Sequence, residues 1–167
     1  MRRAGARIDL GIDGMAVIGL VEVIRKYGFF KKRFNELLDR ARAEKPDVLV
    51  LVDYPGFNIR FAKKVRKVLP KTRIVYYIAP QLWAWGQGRA KKLRRLVDTL
   101  IVILPFEKKF FEDHGFDRVA FCGHPMRDYL PLSTPGAVLR ENFSASPENE
   151  FIITLLPGSR LNEIERM

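Results

Sequence analysis

The sequence predicts an α/β fold built on a doubly wound parallel sheet, and three observations carry that expectation. Strand-like and helix-like segments alternate from about residue 36, the connections between them are short, and one strand is a continuous apolar run, Val48-Leu49-Val50-Leu51-Val52. A stretch that is apolar at every position suits a strand buried on both faces, the usual environment in a parallel sheet. Ligands in such sheets bind outside the carboxyl ends of the strands. Asp53 follows this run directly, on a turn tightened by Pro55 and Gly56.

The elements follow in order. Residues 34–43 read as a helix with Leu37, Leu38 and Ala41 on one side, and the strand 48–52 comes next. A helix over about 58–69 places Ile59, Ala62, Val65 and Val68 on one face. Residues 73–78 form a second strand, 88–97 a helix and 99–104 a third strand. A short helix over 106–113 is ended by Gly115, and 119–122 is a fourth strand. This succession predicts helices on both sides of the sheet.

Residues 131–150 break the rhythm with Leu132-Ser133-Thr134-Pro135-Gly136 and Ser144-Ala145-Ser146-Pro147-Glu148, which is linker chemistry. A new apolar run, 151–156, leads into Pro157-Gly158-Ser159-Arg160. The expected organisation is a partial first domain over 1–130, a linker over 131–150, and the first strand and helix start of a second domain over 151–167. No strand with a tight glycine turn precedes Asp13-Gly14-Met15, so the fold is expected to be incomplete at both ends, as a piece of a larger protein.

With 47% hydrophobic residues in 167, a real core is available and wholesale disorder is disfavoured. The balance of 30 basic against 19 acidic residues, a formal charge of +11, favours an anionic partner: nucleic acid, anionic lipid or a phosphorylated substrate. The basic residues come as dispersed pairs such as Lys63-Lys64, Lys91-Lys92 and Arg94-Arg95, without a recognition-helix or RNA-binding aromatic pattern. Nucleic acid is therefore not expected, and a solvated face is the expected role of most of them. Cys122 is the sole cysteine, which excludes an internal disulfide and suggests a reducing compartment; it reads as a small buried strand residue. His114 and His124 lack ligand-spaced companions, so no metal site is expected. No apolar run reaches membrane-spanning length.

Four segments could carry chemistry. Asp53 either serves a reaction at the sheet edge or caps the following helix and its own turn, and position alone leaves both open. The stretch 76–88, with Gln81-Leu82-Trp83-Ala84-Trp85 at its centre and Arg89, Lys91 and Lys92 after it, lies at the carboxyl end of the second strand; aromatic walls beside amide and cationic groups suit a sugar or amphipathic ligand, although either tryptophan alone could equally plug the sheet edge. Gly158-Ser159-Arg160 at a strand–helix turn offers exposed amides and a forked cation to a phosphate. In Val21-Glu22-Val23-Ile24-Arg25-Lys26-Tyr27-Gly28-Phe29-Phe30-Lys31-Lys32-Arg33-Phe34, bulky apolar and basic residues interleave, as in an interfacial segment on anionic lipid or an ordinary amphipathic helix.

In one order along the chain stand Met15-Ala16-Val17-Ile18-Gly19-Leu20-Val21-Glu22-Val23, Val52-Asp53-Tyr54-Pro55-Gly56-Phe57-Asn58, Tyr77-Ile78-Ala79-Pro80-Gln81-Leu82-Trp83-Ala84-Trp85, Leu104-Pro105-Phe106-Glu107, Gly123-His124-Pro125-Met126 and Leu155-Leu156-Pro157-Gly158-Ser159-Arg160. This order resembles the lipid A disaccharide synthases, bacterial glycosyltransferases of two-domain GT-B architecture. The resemblance implies a Rossmann-like amino-terminal domain. It implies inverting, metal-free and cofactor-free transfer from UDP-2,3-diacylglucosamine to 2,3-diacylglucosamine 1-phosphate, forming a β-1,6 disaccharide and UDP. It implies Asp53 as the base, with substrate contacts from Asn58, Gln81, Trp83, Trp85, Gly158, Ser159 and Arg160. Membrane contact is implied for Val21, Val23, Ile24, Tyr27, Phe29 and Phe30, on an anionic surface at the cytoplasmic face of the inner membrane of a Gram-negative-type bacterium. The family's Gly-Glu-x-Ser-Gly-Asp turn is absent, as is most of the second domain that binds UDP, so this piece alone is expected to be inactive.

Overall fold

The computed structural model describes residues 5, 7, 27–84 and 86–129. By its contacts the chain divides into two compact units, Met1–His124 and Pro125–Met167. In the second, the described part is a short 3-10 turn, Pro125–Asp128, followed by Tyr129.

In the first unit, helix α1 (Tyr27–Glu44) leads to strand β1 (Val48–Val52), helix α2 (Pro55–Val68) and strand β2 (Arg73–Tyr77). A 3-10 turn (Gln87–Arg89), the short helix α3 (Ala90–Arg94), strand β3 (Thr99–Val102), helix α4 (Pro105–Asp113) and strand β4 (Val119–Phe121) follow among its described residues. The strands form a parallel sheet in the order β1-β2-β3-β4, with Val50 opposite Val75, Tyr76 opposite Leu100, and Leu100 opposite Val119. The α/β parallel sheet is as expected from the alternating pattern.

Several boundaries differ from the sequence reading. Helix α1 starts before residue 34 and runs through Gly28, whose place in the first turn spares it most of the cost of glycine in a helix interior. Helix α2 begins at Pro55, not near Asn58, because proline's fixed φ suits the first helical position and its missing N–H has no helical partner there. The helix expected over 88–97 is a 3-10 turn and a five-residue α-helix, Ala90–Arg94. Cys122 lies just past β4 and is exposed, not buried, because the strand ends at Phe121.

Leu51, Ile74, Tyr76, Leu100 and Val102 share one face of the sheet and are buried with Phe61, Ala62 and Val65 of α2, Leu93 of α3 and Phe111 of α4. Sequential parallel strands joined by right-handed crossovers place their connecting helices on one face. Phe34 of α1 packs edge-on against Phe57 and Phe61 of α2, at 5.4 Å to each, so α1 joins that layer. On the other face Val48, Val50 and Val52 are 49%, 55% and 42% exposed. Among the described residues, no helix covers that second face.

The amino edge of the sheet is tied by polar groups. Arg66 donates to the carbonyls of Pro70, Thr72 and Leu96 and to the Asp98 carboxylate (2.6 Å), which also accepts from Ile74 N–H. Burial pushes the Asp98 carboxyl up, but the Ile74 amide and the Arg66 and Arg73 charges outweigh it and hold the group below its usual range.

Candidate active site at the carboxyl edge of the sheet

The first two strands end in left-handed backbone. Asp53 (φ 45°), Tyr54 (φ 46°) and Ile78 (φ 58°) are non-glycine residues at positive φ, directly after β1 and β2. Each such position costs on the order of 1–2 kcal/mol for a residue with a Cβ, and a β-branched isoleucine is an outlier there. Strain of this kind persists where the surroundings over-determine it, and it concentrates at functional sites.

The surroundings are visible. Asp53 N–H donates to Tyr77 O at 2.9 Å, holding the end of β1 to the end of β2, and Ile78 N–H does the same to Ile101 O at 3.0 Å. The Asp53 carbonyl accepts from the Tyr76 hydroxyl (2.7 Å) and from Asn58 Nδ2 (2.6 Å), which also donates to Val52 O (3.0 Å). Burial pushes the Tyr76 hydroxyl well above its ordinary pKa and the neighbouring Asp53 charge pushes the same way, against a smaller opposing effect of the Asn58 amide. Tyr76 therefore stays protonated at neutral pH, so its hydroxyl remains a donor to the turn.

These bonds all engage the backbone of Asp53. Its residue is exposed, and no hydrogen bond or ion pair to its carboxylate is found among the described residues. Helix α2 takes Tyr54 as its N-cap, without a side-chain cap. The capping alternative for Asp53 is thus not what the fold uses. The turn instead holds a carboxylate at the strand end, able to accept a proton from a hydroxyl brought within hydrogen-bond reach.

The loop after β2 leaves the same edge. Gln81 is exposed, whereas Trp83 is half-buried, its ring edge-on to Phe106 with centroids 5.0 Å apart. Trp83 Nε1 donates to Glu107 Oε1 at 3.0 Å, while Glu107 Oε2 accepts from Ile103 N–H (3.2 Å) and Leu104 N–H (3.0 Å). Glu107 is only 1% exposed, yet its carboxylate is matched by three N–H donors. Sequence reasoning missed this residue; the signal was its place three positions into α4 behind Leu104-Pro105, where a glutamate reaches back to amides at the helix start. Trp83 consequently offers a ligand its ring and not its N–H. Asn58 likewise spends its amide nitrogen on the turn, leaving its carbonyl for other contacts.

Asp53, Asn58, Gln81 and Trp83 are thus gathered at one edge by two neighbouring strands. Trp85, Gly158, Ser159 and Arg160 lie outside the described residues, as do Val21, Val23, Ile24 and the side chain of Tyr27. Phe29 and Phe30 are partly buried near the start of α1, with Arg33 placed over the Phe29 ring at 5.4 Å. No described helix is long and apolar enough to cross a membrane.

Comparison with known proteins places this edge in context. The family model described as lipid-A-disaccharide synthetase matches residues 1–167. The chain is similar to the lipid-A-disaccharide synthase of Trichlorobacter lovleyi, 42% identical over 167 residues, which is 100% of this chain and 43% of the relative. It is 40% identical to that of Geobacter metallireducens over 167 residues, covering 42% of it. Against lipid-A-disaccharide synthase 1 of Legionella pneumophila (strain Lens) it is 41% identical over 166 residues, again 42% of the relative. The chain spans less than half the length of the curated relatives it matches. With the family model covering every residue, the chain belongs to the lipid-A-disaccharide synthetase family.

Proposed function

We propose that the protein carrying this chain transfers a diacylglucosamine unit from its UDP-activated form to 2,3-diacylglucosamine 1-phosphate in lipid A biosynthesis, with Asp53 as the general base. The acceptor hydroxyl loses its proton to the Asp53 carboxylate as its oxygen bonds to the anomeric carbon. The bond from that carbon to the UDP oxygen breaks, UDP leaves with the electron pair, and the centre inverts. A positioned base of this kind contributes on the order of 10²–10⁴ in rate.

The observation that carries the reading is the Asp53–Tyr54 turn, two adjacent left-handed non-glycine residues that hold an unengaged carboxylate at the carboxyl edge. The Trp83 ring and Gln81 are suited to the sugar of the acceptor, and Gly158, Ser159 and Arg160 to the phosphates of the donor. Val21, Val23, Ile24, Tyr27, Phe29 and Phe30 are assigned to an anionic membrane surface holding the acylated substrates, on the cytoplasmic face of the inner membrane. Residues 1–130 form the acceptor-side domain in this reading, 131–150 the linker, and 151–167 the start of the nucleotide-sugar domain.

The test is to give the full-length protein UDP-2,3-diacylglucosamine together with a panel of sugar acceptors. We expect disaccharide and stoichiometric UDP with 2,3-diacylglucosamine 1-phosphate. Transfer only to a different lipid-linked sugar would overturn the substrate assignment and keep the reaction class; binding to lipid vesicles with no transfer to any acceptor would overturn both.

A further inference from the structure

The connecting helices run from the carboxyl edge of the sheet to its amino edge, so the ends of α3 and α4 meet at the edge opposite Asp53. There, Lys91, Arg94 and Arg95 from α3 and its end, with His114 at the end of α4, line a cavity of about 410 Å³. Positions 91, 94 and 95 share one helix face, so three cations converge, where like charges one turn apart repel. The carboxyl ends of helices attract cations, which explains part of the placement. Among the described residues, the lining contains no carboxylate. Of those residues Asp117 approaches it, 4.0 Å from Arg94 with its side chain 88% exposed, and a pair that open neutralises little.

The geometry points to a binding site for a phosphoryl group, separate from the Asp53 edge. Two guanidinium forks and an ammonium suit the oxygens of a phosphate ester, mono- or diester, or of a diphosphate. His114 Nδ1 donates to Phe110 O at 2.7 Å, because a carbonyl only accepts, so Nε2, an acceptor in the neutral ring, is left to accept from a hydroxyl of the ligand. A volume of about 410 Å³ lies in the range of small-ligand sites, roughly 300–1,000 Å³, and exceeds what a bare phosphate fills. The volume leaves room for an organic part beside the phosphoryl group, as in a soluble phosphate ester or a phospholipid headgroup.

The test titrates the 167-residue chain with pyrophosphate and glycerol phosphate by calorimetry, and measures flotation with phosphatidylglycerol vesicles against phosphatidylcholine vesicles. Arg94→Gln and Arg95→Gln should each weaken binding about tenfold, while Lys63→Gln and Lys64→Gln on α2 should not. These are exposed residues, and matching circular dichroism and melting temperatures establish that the variants fold. If glycerol phosphate binds in solution with this arginine dependence, the soluble source is supported; if phosphatidylglycerol vesicles alone show it, the headgroup source is. Equal losses from the Lys63 and Lys64 variants, or no binding of any of these probes, would overturn the site.

Discussion

Asp53 and Tyr54 occupy backbone conformations that glycine would adopt more easily, and this gives Asp53 a property that can be measured apart from chemistry. Asp53→Gly should raise stability by about 0.5–1 kcal/mol in denaturant titration, through relief of the left-handed strain, while lowering the transfer rate of the full-length protein by roughly 10²–10⁴. Asparagine tolerates the same backbone nearly as well as aspartate, so Asp53→Asn should leave stability within about 0.5 kcal/mol and isolate the carboxylate. A loss of stability with Asp53→Gly would show that the carboxylate is structural. The position of this residue was readable from the apolar run before it. Its release from capping was not, because the choice turned on Pro55 starting the helix and Asn58 bonding back to the strand end.

At the level of elements, the two ends of the sheet are held differently. The loop after β2 is fastened to the start of α4 by one buried carboxylate. In Glu107→Gln the amide oxygen can keep the Ile103 and Leu104 amides, which leaves the NH₂ facing the Trp83 indole N–H, donor against donor. We expect a loss of about 1–3 kcal/mol, a red-shifted tryptophan emission and faster exchange of the indole proton as Trp83 is released. At the other end, Asp98 has its pKa lowered in the fold, so its stabilisation is present above the unfolded value near 3.9 and is lost as pH falls through the lower folded value. Asp98→Asn should cost about 1 kcal/mol at pH 7, and the difference from the parent chain should shrink steadily below pH 4 in denaturant melts. A difference that stays constant down to pH 2 would contradict the network. The strand positions were within reach of the sequence, since apolar runs and their breaks mark them. The Glu107 and Asp98 networks were not, because hydrogen bonds such as Trp83–Glu107 and Ile74–Asp98 join residues far apart in the chain.

For the molecule as a whole, the open second face of the sheet is the informative feature. The continuous apolar character of β1 predicts burial on both sides, yet Val48, Val50 and Val52 are exposed among the described residues. The relatives are more than twice as long as this chain, which spans 43% of the Trichlorobacter lovleyi protein. If β1 is read correctly as a two-sided strand, Val50→Asp should change the stability of the 167-residue chain by less than about 0.5 kcal/mol and destabilise the full-length protein by about 2 kcal/mol or more, through an uncompensated buried charge. Equal effects in both would mean that the face is solvated in the whole protein. The six ordered segments made the family readable from the sequence, and the family model covers them all.

The most direct test of the account is the single-turnover rate of disaccharide formation by full-length Asp53→Asn, measured beside its affinity for both substrates. Loss of the base should lower that rate by roughly 10²–10⁴ with substrate affinities and melting temperature nearly unchanged. Transfer at the parent rate would contradict Asp53 as the base.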